Sequence, residues 1–352
     1  MKPLKIVLTA SGAPGCSTLI RKLRDNGERQ LTIVGTDSSQ ECLGRFWSDR
    51  FYRVPPASSP DYLDALHAVV EKERPDLLFP VSSYEVPVVS GDVKRFEAVC
   101  PVLVSDHQAI QTASNKHAVW ELLKEKTSAP VPGFHLVKSL DEFNRAVADL
   151  GHPGRNVCFK PPVSKGSRGF RILSDDVDRR DLLLNHKPQN VFMTLAEFND
   201  IFKDDEDFPE LLVMEVVTGP EYDVMTLCLE GEALLTTVKT REAHRWGIIS
   251  LGELVDNPRL VELTREVIAA VGLSFNISVQ FIGDTMIEIN PRTSTYIYQS
   301  DLNEPYLAIK LKLGEISAGE VRAMQSKVKF GRRMLRYMDQ VFWNPGENRA
   351  ED

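Results

Sequence analysis

A β-hairpin that carries polar residues at alternating positions restricts the fold of this chain more than any other segment. Apolar runs at 277–282 and 285–289 flank a Gly-Asp turn, which predicts two antiparallel strands. Alternation along a strand puts Glu288 and Asn290 on one face, and strand pairing is expected to bring Gln280 to it. Because a buried glutamate needs a partner, the hairpin predicts either a ligand site or a buried ion pair.

The polar groups of this hairpin present oxygen atoms. One carboxylate and two amide oxygens form a set suited to Mg²⁺, which keeps its remaining positions for water and phosphate oxygens. Arg292 follows Asn290 by two residues and projects the same way, so it is a candidate to brace a transferring phosphoryl group. The alternative is a structural ion pair between Glu288 and Arg292.

A loop rich in small residues and cations follows the predicted strand at 157–160. It joins two strands, so it is not a Walker A loop, which precedes a helix. Small residues and free backbone N–H groups suit a flexible cover over a polyphosphate, and Lys160, partly desolvated at the strand end, would gain from a phosphate partner. The alternative is a basic hairpin tip in solvent. The loop residues predicted to cover phosphates are Lys165, Gly166, Ser167 and Gly169.

An apolar strand predicted at 211–217 ends in a turn that carries acidic residues. Glu215 is a candidate acceptor for an adenine amino group, helped by the backbone of the same strand. Glu221 is a candidate acceptor for ribose hydroxyls. Acidic residues flank turns in many proteins, so this segment indicates a nucleotide site only in combination with the hairpin and the cationic loop.

The glycine-rich turn at 12–15 lies between a predicted strand and a predicted helix, and Asp37 ends the next strand. This arrangement superficially resembles a dinucleotide site, in which an acidic side chain holds a ribose. The GxGxxG pattern is absent and Pro14 removes one backbone donor. We therefore interpret the glycines as a tight turn beneath the helix, with cofactor binding as the alternative.

Predicted strands and helices alternate through the first part of the chain. Strands are expected at 5–9, 31–36 and 77–81, and helices at 17–26 and 61–73. This order predicts parallel βαβ units in an open α/β sheet up to about residue 110. A Pro- and Gly-containing break at 129–133 then precedes a small α+β unit and a β-rich last part. The predicted domains are 1–113, 114–213 and 214–352.

Composition narrows the classes of partner and location. The formal net charge is −8, which argues against a nucleic-acid partner and an anionic membrane surface. The five cysteines are scattered without a CxxC pair, so neither a zinc site nor a disulfide framework is indicated. No apolar stretch approaches the length that spans a bilayer. We expect a cytoplasmic protein.

Taken together and in order, these segments resemble the ATP-grasp superfamily, in particular its branch related to the carbamoyl-phosphate synthase large subunit and to carboxylate–amine ligases. The Glu-x-Asn-Pro-Arg element at 288–292 with its upstream Gln280 is the most specific part. Ser-Asn-Lys at 114–116 and the segments 51–56 and 333–342 add to the likeness. The resemblance covers almost the whole chain. It implies an α/β, Rossmann-like pre-ATP-grasp domain followed by a two-part α+β ATP-grasp fold.

The resemblance also implies roles for individual residues. ATP and Mg²⁺ are the implied cofactors, with Mn²⁺ as an alternative ion. The implied nucleotide-binding residues are Lys116, Lys160, Lys165, Gly166, Ser167, Gly169, Glu215, Val217, Glu221 and His244. The implied metal ligands are Gln280, Glu288 and Asn290, and the implied catalytic residues are Arg292 and Lys160. Arg241 or Arg245 is expected to bind a substrate carboxylate.

Two positions depart from the pattern of the superfamily. Many members have an aspartate where Met225 stands here, and the acid appears instead at Asp223. Many ligases also use an acid where this chain has Gln280, so one implied metal ligand is neutral.

The implied reaction forms an acyl phosphate from a carboxylate and ATP, then transfers the acyl group to an amine and releases phosphate. Small-molecule carboxylates and amines are therefore the expected partners. One alternative is phosphorylation of bicarbonate or carbamate, as in carbamoyl-phosphate synthesis. Another is a nucleotide-binding regulatory protein without turnover. Dimerisation is common in the superfamily, so a homodimer is an expectation from the resemblance alone.

Overall fold

The computed structural model describes residues 1–164, 166, 168–186, 191–245, 247–294 and 302–344. The strands are β1 (Leu4–Leu8), β2 (Leu31–Asp37), β3 (Arg50–Arg53), β4 (Leu77–Phe79), β5 (Phe134–Val137), β6 (Val157–Lys160), β7 (Arg171–Leu173), β8 (Phe192–Met193), β9 (Leu211–Glu215), β10 (Glu221–Leu229), β11 (Glu232–Thr240), β12 (Ala243–Arg245), β13 (Ile248–Val255), β14 (Phe275–Ile282), β15 (Thr285–Asn290) and β16 (Arg333–Leu335).

The helices connect and cover these strands. They are α1 (Cys16–Arg24), α2 (Leu43–Trp47), α3 (Tyr62–Glu73), α4 (Val86–Gly91), α5 (Val93–Glu97), α6 (His107–Ser114), α7 (Lys116–Lys126), α8 (Leu140–Asp149), α9 (Arg179–Asn185), α10 (Leu195–Phe202), α11 (Pro258–Val271), α12 (Glu304–Lys312) and α13 (Ala318–Ala323), with a 3₁₀ helix at Met324–Lys327.

The first sheet is parallel, in the order β3-β2-β1-β4. Helices follow its strands, as the alternating apolar pattern predicted, because parallel neighbours need a crossover connection. Helix α1 buries Leu19, Ile20 and Leu23 against this sheet. The predicted open α/β unit is therefore confirmed.

The second sheet has the order β5-β9-β6-β7-β8 and combines antiparallel with parallel pairs. Helices α8 and α10 cover it through an aromatic core in which Phe143 stacks on Phe198, with ring centroids 3.7 Å apart. A Thr194–Glu197 capping box starts α10. This small α+β unit places Lys160 at the end of β6.

The third sheet is antiparallel, in the order β12-β13-β11-β10-β14-β15, with β16 on β13. Its β14–β15 hairpin is the one predicted from the polar pattern. Helix α11 covers one face: Asn257 caps its first turn, and Gly272 ends it with a φ of 76°, a left-handed conformation that favours glycine. The other face carries the polar side chains described below.

The three sheets follow one another along the chain in the order that the predicted domains require. The last part of the chain also packs back onto the first: Tyr306 of α12 lies in the same core as Ile6 and Leu31. The Tyr306 hydroxyl accepts a hydrogen bond of 2.8 Å from Arg29 Nε. The division into three domains stays a prediction.

Among the described residues, no helix is both long and apolar enough to cross a membrane.

Candidate active site

The polar face of the β14–β15 hairpin is set by strand register. Gln280 lies opposite Glu288, and Ser278 lies opposite Asn290. A register shift between Gln280 and Phe281 accommodates one extra residue on β15. Glu288 and Asn290 thus share a face with Gln280, and the three predicted metal ligands come together as the sequence indicated.

Strand β10 adds a carboxylate to this face. Asp223 lies opposite Gln280 in the β10–β14 pair, is 3% exposed, and accepts a hydrogen bond from the Ser278 hydroxyl. The sequence reasoning noted Asp223 only as a departure from a family pattern and assigned it no role. Its position two residues after Glu221 on one strand was the available signal, since both then share a face.

Two lysines converge on the hairpin from different units. Lys116 opens α7, where Asn115 caps the helix, and its Nζ lies 3.2 Å from the Ser164 carbonyl oxygen and 3.5 Å from Glu288 Oε1. Lys160 is 7% exposed. Burial and the neighbouring Lys116 lower the pKa of Lys160 from 10.5 to about 8, although Glu288 opposes that shift. Two ammonium groups around one carboxylate leave positive charge that an anion would neutralise.

Arg292 is held by the first unit rather than by the hairpin. Its Nε donates to Ser83 Oγ at 2.7 Å, and its Nη1 donates to the Thr293 carbonyl at 3.3 Å. Burial lowers the pKa of Arg292, while Asp223 and Glu288 oppose that shift. Within the described ranges, Arg292 makes no ion pair with Glu288, which contacts Lys116 instead. The alternative of a structural Glu288–Arg292 pair is therefore wrong.

Two cavities meet at this face. The smaller, of about 250 Å³, is lined by both lysines together with Glu221, His244, Gln280 and Glu288. The larger, of about 380 Å³, is lined by Asp223, Ser278, Asn290 and Arg292 and by residues of the first unit. Both cavities share Gly166, Arg241, Gly247 and Gln280. A molecule in one cavity would thus lie next to a molecule in the other.

Glu221, the candidate acceptor for ribose hydroxyls, and the loop that follows β6 also lie where the two cavities meet. Glu221 Oε2 accepts a hydrogen bond of 3.1 Å from Arg241 Nε. Gly169 has a φ of 74°, and a Cβ there would lie 2.6 Å from Pro161 Cδ, so this turn requires glycine. Gly166 lines both cavities, whereas Lys165 and Ser167 fall outside the described residues.

Glu215, whose side chain was predicted to contact a nucleotide, does not line the smaller cavity. Lys160 pairs with Leu212, so alternation puts Met214 on the Lys160 face and Glu215 on the opposite face. The Glu215 carboxylate accepts from the Gly133 N–H at 2.9 Å instead. Val217 lines a separate cavity with Glu215, so a nucleotide role for either residue would have to use backbone atoms.

The glycine-rich turn near the N-terminus is held to the first sheet by a hydrogen bond. Asp37 Oδ2 accepts from the Gly12 N–H at 2.9 Å, so this carboxylate ties the turn to β2. Gly15 has a φ of 87° and precedes α1. The turn borders the larger cavity through Ala13 and Pro14.

Parts of this chain are similar in sequence to known proteins. Residues 207–333 match the family described as ATP-grasp in the biosynthetic pathway with Ter operon. The chain is 32% identical over 177 residues to the formate-dependent phosphoribosylglycinamide formyltransferase of Burkholderia mallei (strain SAVP1), a match that covers 49% of this chain and 40% of that protein. The chain thus spans less than half the length of the curated relatives it matches.

Solved structures share the fold. The biotin carboxylase domain dimer of Hydrogenobacter thermophilus 2-oxoglutarate carboxylase, in complex with MgADP, ADP and bicarbonate, superposes with a TM-score of 0.67 at 18% identity, covering 95% of this chain and 74% of that chain. The L-amino acid ligase of Bacillus licheniformis superposes with a TM-score of 0.60 at 14% identity, covering 91% and 77%. These similarities confirm the fold class predicted from the sequence.

The residues on the hairpin face fit a divalent cation that also binds ligand oxygens. In the described parts of the chain, no group of three or more His, Cys, Asp or Glu side chains could hold a metal alone. The face offers one carboxylate and two amide groups in register, with the Asp223 carboxylate beside Gln280. Mg²⁺ is typically held by one or two carboxylates plus phosphate and water oxygens, so this donor set suits it in the presence of a polyphosphate.

Proposed function

We propose that this chain is an ADP-forming ligase of the ATP-grasp superfamily, which joins a small carboxylate to an amine. The observation that carries this proposal is the meeting of the two cavities at Gln280. One cavity has two lysines that share the single carboxylate of Glu288, which leaves positive charge suited to phosphates, and the other has room for an organic substrate. The alternatives are phosphorylation of bicarbonate or carbamate and nucleotide-dependent regulation without turnover.

The smaller cavity takes the nucleotide. Lys116 and Lys160 neutralise its phosphates, which explains why two cations lie close to a single carboxylate. Glu221 accepts from ribose hydroxyls at the border of the two cavities. The adenine contacts come from strand backbone near Val217, since the Glu215 side chain points elsewhere.

Gln280, Glu288 and Asn290 would hold Mg²⁺, which would offset the charge of the phosphates during transfer. Their alignment across β14 and β15 supports this role. Asp223 lies opposite Gln280 on the neighbouring strand, and we assign it a separate role in proton transfer.

The larger cavity takes the carboxylate, which attacks the γ-phosphate in line to give an acyl phosphate and ADP. Arg292 is held by Ser83 and stabilises the negative charge that develops on the transferring group and on the tetrahedral intermediate. An amine then attacks the acyl carbon, phosphate leaves, and the amine loses a proton. Asp223 is the one carboxylate among the described residues that line this cavity, so it takes that proton.

The unit at 134–213 acts as a lid over the two cavities. Arg168, in its loop, donates from Nη1 to the Tyr84 hydroxyl of the first unit at 2.9 Å. Closure excludes water, which would otherwise hydrolyse the acyl phosphate. The hinges lie at 129–133 and near Leu211, where chain segments join this unit to its neighbours.

An ADP-release screen tests the proposal. Purified protein is incubated with Mg-ATP and pairs of amino acids, dipeptides and small carboxylic acids, with Glu288→Gln as the inactive control. We expect ADP and phosphate release that requires both members of one pair. A protein that gains thermal stability from Mg-ATP, yet releases no ADP with any pair or with bicarbonate, would support the regulatory alternative and overturn this proposal.

A further inference from the structure

The turn that follows β4 makes the contacts through which the first unit reaches two arginines of the site. Ser83 Oγ accepts from Arg292 Nε at 2.7 Å, and the Tyr84 hydroxyl accepts from Arg168 Nη1 at 2.9 Å. Ser83 and Tyr84 both line the larger cavity. Because a hydrogen bond weakens steeply outside a narrow range of distance and angle, the placement of this turn determines where the Arg292 guanidinium lies.

Local hydrogen bonds fix the shape of this turn. The backbone N–H groups of Glu85 and Val86 donate to the Ser82 carbonyl at 3.0 and 2.9 Å, and the Tyr84 N–H donates to Ser82 Oγ at 3.2 Å. These bonds lie within residues 82–86, so they do not set the placement of the turn against the first sheet. A contact to the sheet is needed for that.

Glu85 makes such a contact through a buried carboxyl group. Its Oε2 accepts from Thr9 Oγ1 at 2.5 Å, and the two residues are 6% and 0% exposed. Thr9 directly follows β1, and its backbone N–H donates to the carbonyl of Phe79, the last residue of β4, at 3.1 Å. The Glu85–Thr9 hydrogen bond therefore ties the turn to the carboxyl ends of two neighbouring strands.

Thr9 also begins the second segment of the first unit that borders the larger cavity. Ala10, the next residue, has a φ of 45°, and its carbonyl accepts from the Ala13 N–H at 2.9 Å. Ala13 and Pro14 line the cavity. The contact between Glu85 and Thr9 thus joins two walls of the larger cavity.

Stability alone does not explain a carboxyl group at this place. Burial raises the pKa of Glu85 from 4.5 to about 7, although the hydrogen bond from Thr9 opposes that shift. The charged form therefore costs folding free energy, a cost that an apolar side chain of similar size would avoid. A buried carboxyl group with a raised pKa beside a ligand cavity is typical of functional sites.

We infer that Glu85 is a positioning residue: its contact with Thr9 holds the turn at 82–85 so that Ser83 orients Arg292 toward the transferring phosphoryl group. This inference rests on the proposed function, which assigns Arg292 to that group. Among the described residues, none before Lys116 lines the smaller cavity. Loss of the contact should therefore slow the chemical step and leave Mg-ATP binding unchanged.

Glu85→Leu and Thr9→Val remove the contact from either side, and the double variant leaves neither side chain with an unsatisfied buried partner. Each should lower kcat for ADP release roughly 10- to 100-fold, the loss expected when a catalytic group moves by about 1 Å, with KM for Mg-ATP unchanged. The double variant should lose no more than either single variant, because both act through one contact. Glu85→Gln, whose amide oxygen still accepts from Thr9, should lose less than Glu85→Leu. A wild-type kcat in Glu85→Leu would overturn the inference.

Glu73 is the matched control. It is buried in the same unit, and its carboxylate accepts from the Tyr52 hydroxyl at 2.6 Å and from Arg50 Nη1 at 3.0 Å. It ends α3 beside Lys5, near the start of β1, so it lies at the opposite end of the first sheet from the turn. Glu73→Gln should lower the melting temperature without changing kcat. An equal loss of kcat in this variant would mean that any destabilisation of the unit slows the reaction, and it would overturn the specific role of Glu85.

A thermal-shift measurement tests the same placement without turnover. Mg-ADP with aluminium fluoride mimics a transferring phosphoryl group, so it should stabilise the wild type beyond Mg-ADP alone. This additional shift should vanish in Arg292→Gln and in Glu85→Leu, and it should persist in Glu73→Gln. An additional shift that is equal in Glu85→Leu and the wild type, or that is absent from the wild type, would overturn the inference.

The two proposals fail in different ways. If ADP release occurs and Glu85→Leu keeps the wild-type kcat, the ligase function stands and the role of Glu85 is wrong. If the aluminium fluoride shift depends on Glu85 but no substrate pair supports ADP release, the positioning role stands and the ligase function is wrong.

Discussion

Lys116 Nζ lies 3.5 Å from Glu288 Oε1, so the central carboxylate of the hairpin is paired with a lysine of the preceding helical segment. Lys116 and Glu288 are far apart in sequence, and their side chains are 6% and 31% exposed. The same lysine also raises the cost of protonating Lys160. Glu288 thus partly offsets the charge of two ammonium groups before any ligand arrives, and its charge matters for both stability and binding.

Glu288→Gln should lower the stability of the unliganded protein and remove its stabilisation by Mg-ATP. The variant keeps the shape of the side chain but leaves Lys116 and Lys160 without their shared carboxylate. Because Glu288 is nearly a third exposed, we expect a loss of only about 1 kcal/mol in the free energy of unfolding. Denaturant unfolding and thermal shifts with and without Mg-ATP measure the two effects. An unchanged Mg-ATP shift would contradict the metal-ligand role.

Glu215→Gln is the matched control for that experiment. The amide oxygen of glutamine still accepts from the Gly133 N–H, and the side chain lies on the face of β9 away from Lys160. We therefore expect the KM for ATP and the stabilisation by Mg-ATP to stay at wild-type values. A marked rise in KM for ATP would mean that Glu215 contacts the nucleotide after all.

Lys160→Met should stabilise the unliganded protein near neutral pH. Burial lowers the pKa of Lys160 from 10.5 to about 8. Below pH 8 the Lys160 ammonium group is charged in both the folded and the unfolded protein, so the folded state bears the full desolvation cost of burying that charge. Between pH 8 and 10.5 the folded protein has lost the proton that the unfolded protein keeps, so wild-type stability rises with pH there. The variant should gain roughly 3 kcal/mol at pH 7, and this gain should shrink toward pH 10.5.

Binding of Mg-ATP supplies the second measurement for Lys160. Phosphates favour the protonated lysine, so the wild-type Kd for Mg-ATP should rise about tenfold per pH unit above pH 8. Lys160→Met should bind more weakly and without this pH dependence. A wild-type Kd that stays constant from pH 7 to pH 10 would contradict a phosphate contact of Lys160.

Asp223→Asn should separate the two half-reactions. The asparagine oxygen still accepts from Ser278, so the fold and nucleotide binding should be preserved. Transfer to a natural amine should fall about 10²- to 10⁴-fold, as expected for the loss of a general base. Hydroxylamine needs little help to attack an acyl phosphate, so hydroxamate formation should persist. Equal losses in both assays would instead place Asp223 in metal binding or phosphoryl transfer.

The sequence by itself determined those features that depend on local periodicity. The alternation of polar and apolar residues over 275–290 specified the hairpin and the shared face of Glu288 and Asn290, because side chains on a strand repeat every two residues. In the first unit, predicted strands separated by helices indicated a parallel sheet, because parallel neighbours need a crossover connection. The missing GxGxxG pattern favoured a structural turn, and the structure ties this turn to β2 through Asp37.

Only the tertiary structure decided which side chains meet across units. Asp223 enters the site through the pairing of β10 with β14, Arg292 is oriented by Ser83, and Lys116 finds Glu288. The orientation of Glu215 likewise depended on which face of β9 packs toward Lys160. Strand partners and the packing of sheets are set by long-range burial, and a shift of one residue in register exchanges the two faces of a strand. Local patterns therefore identify candidate residues, whereas long-range packing determines which of them form the site.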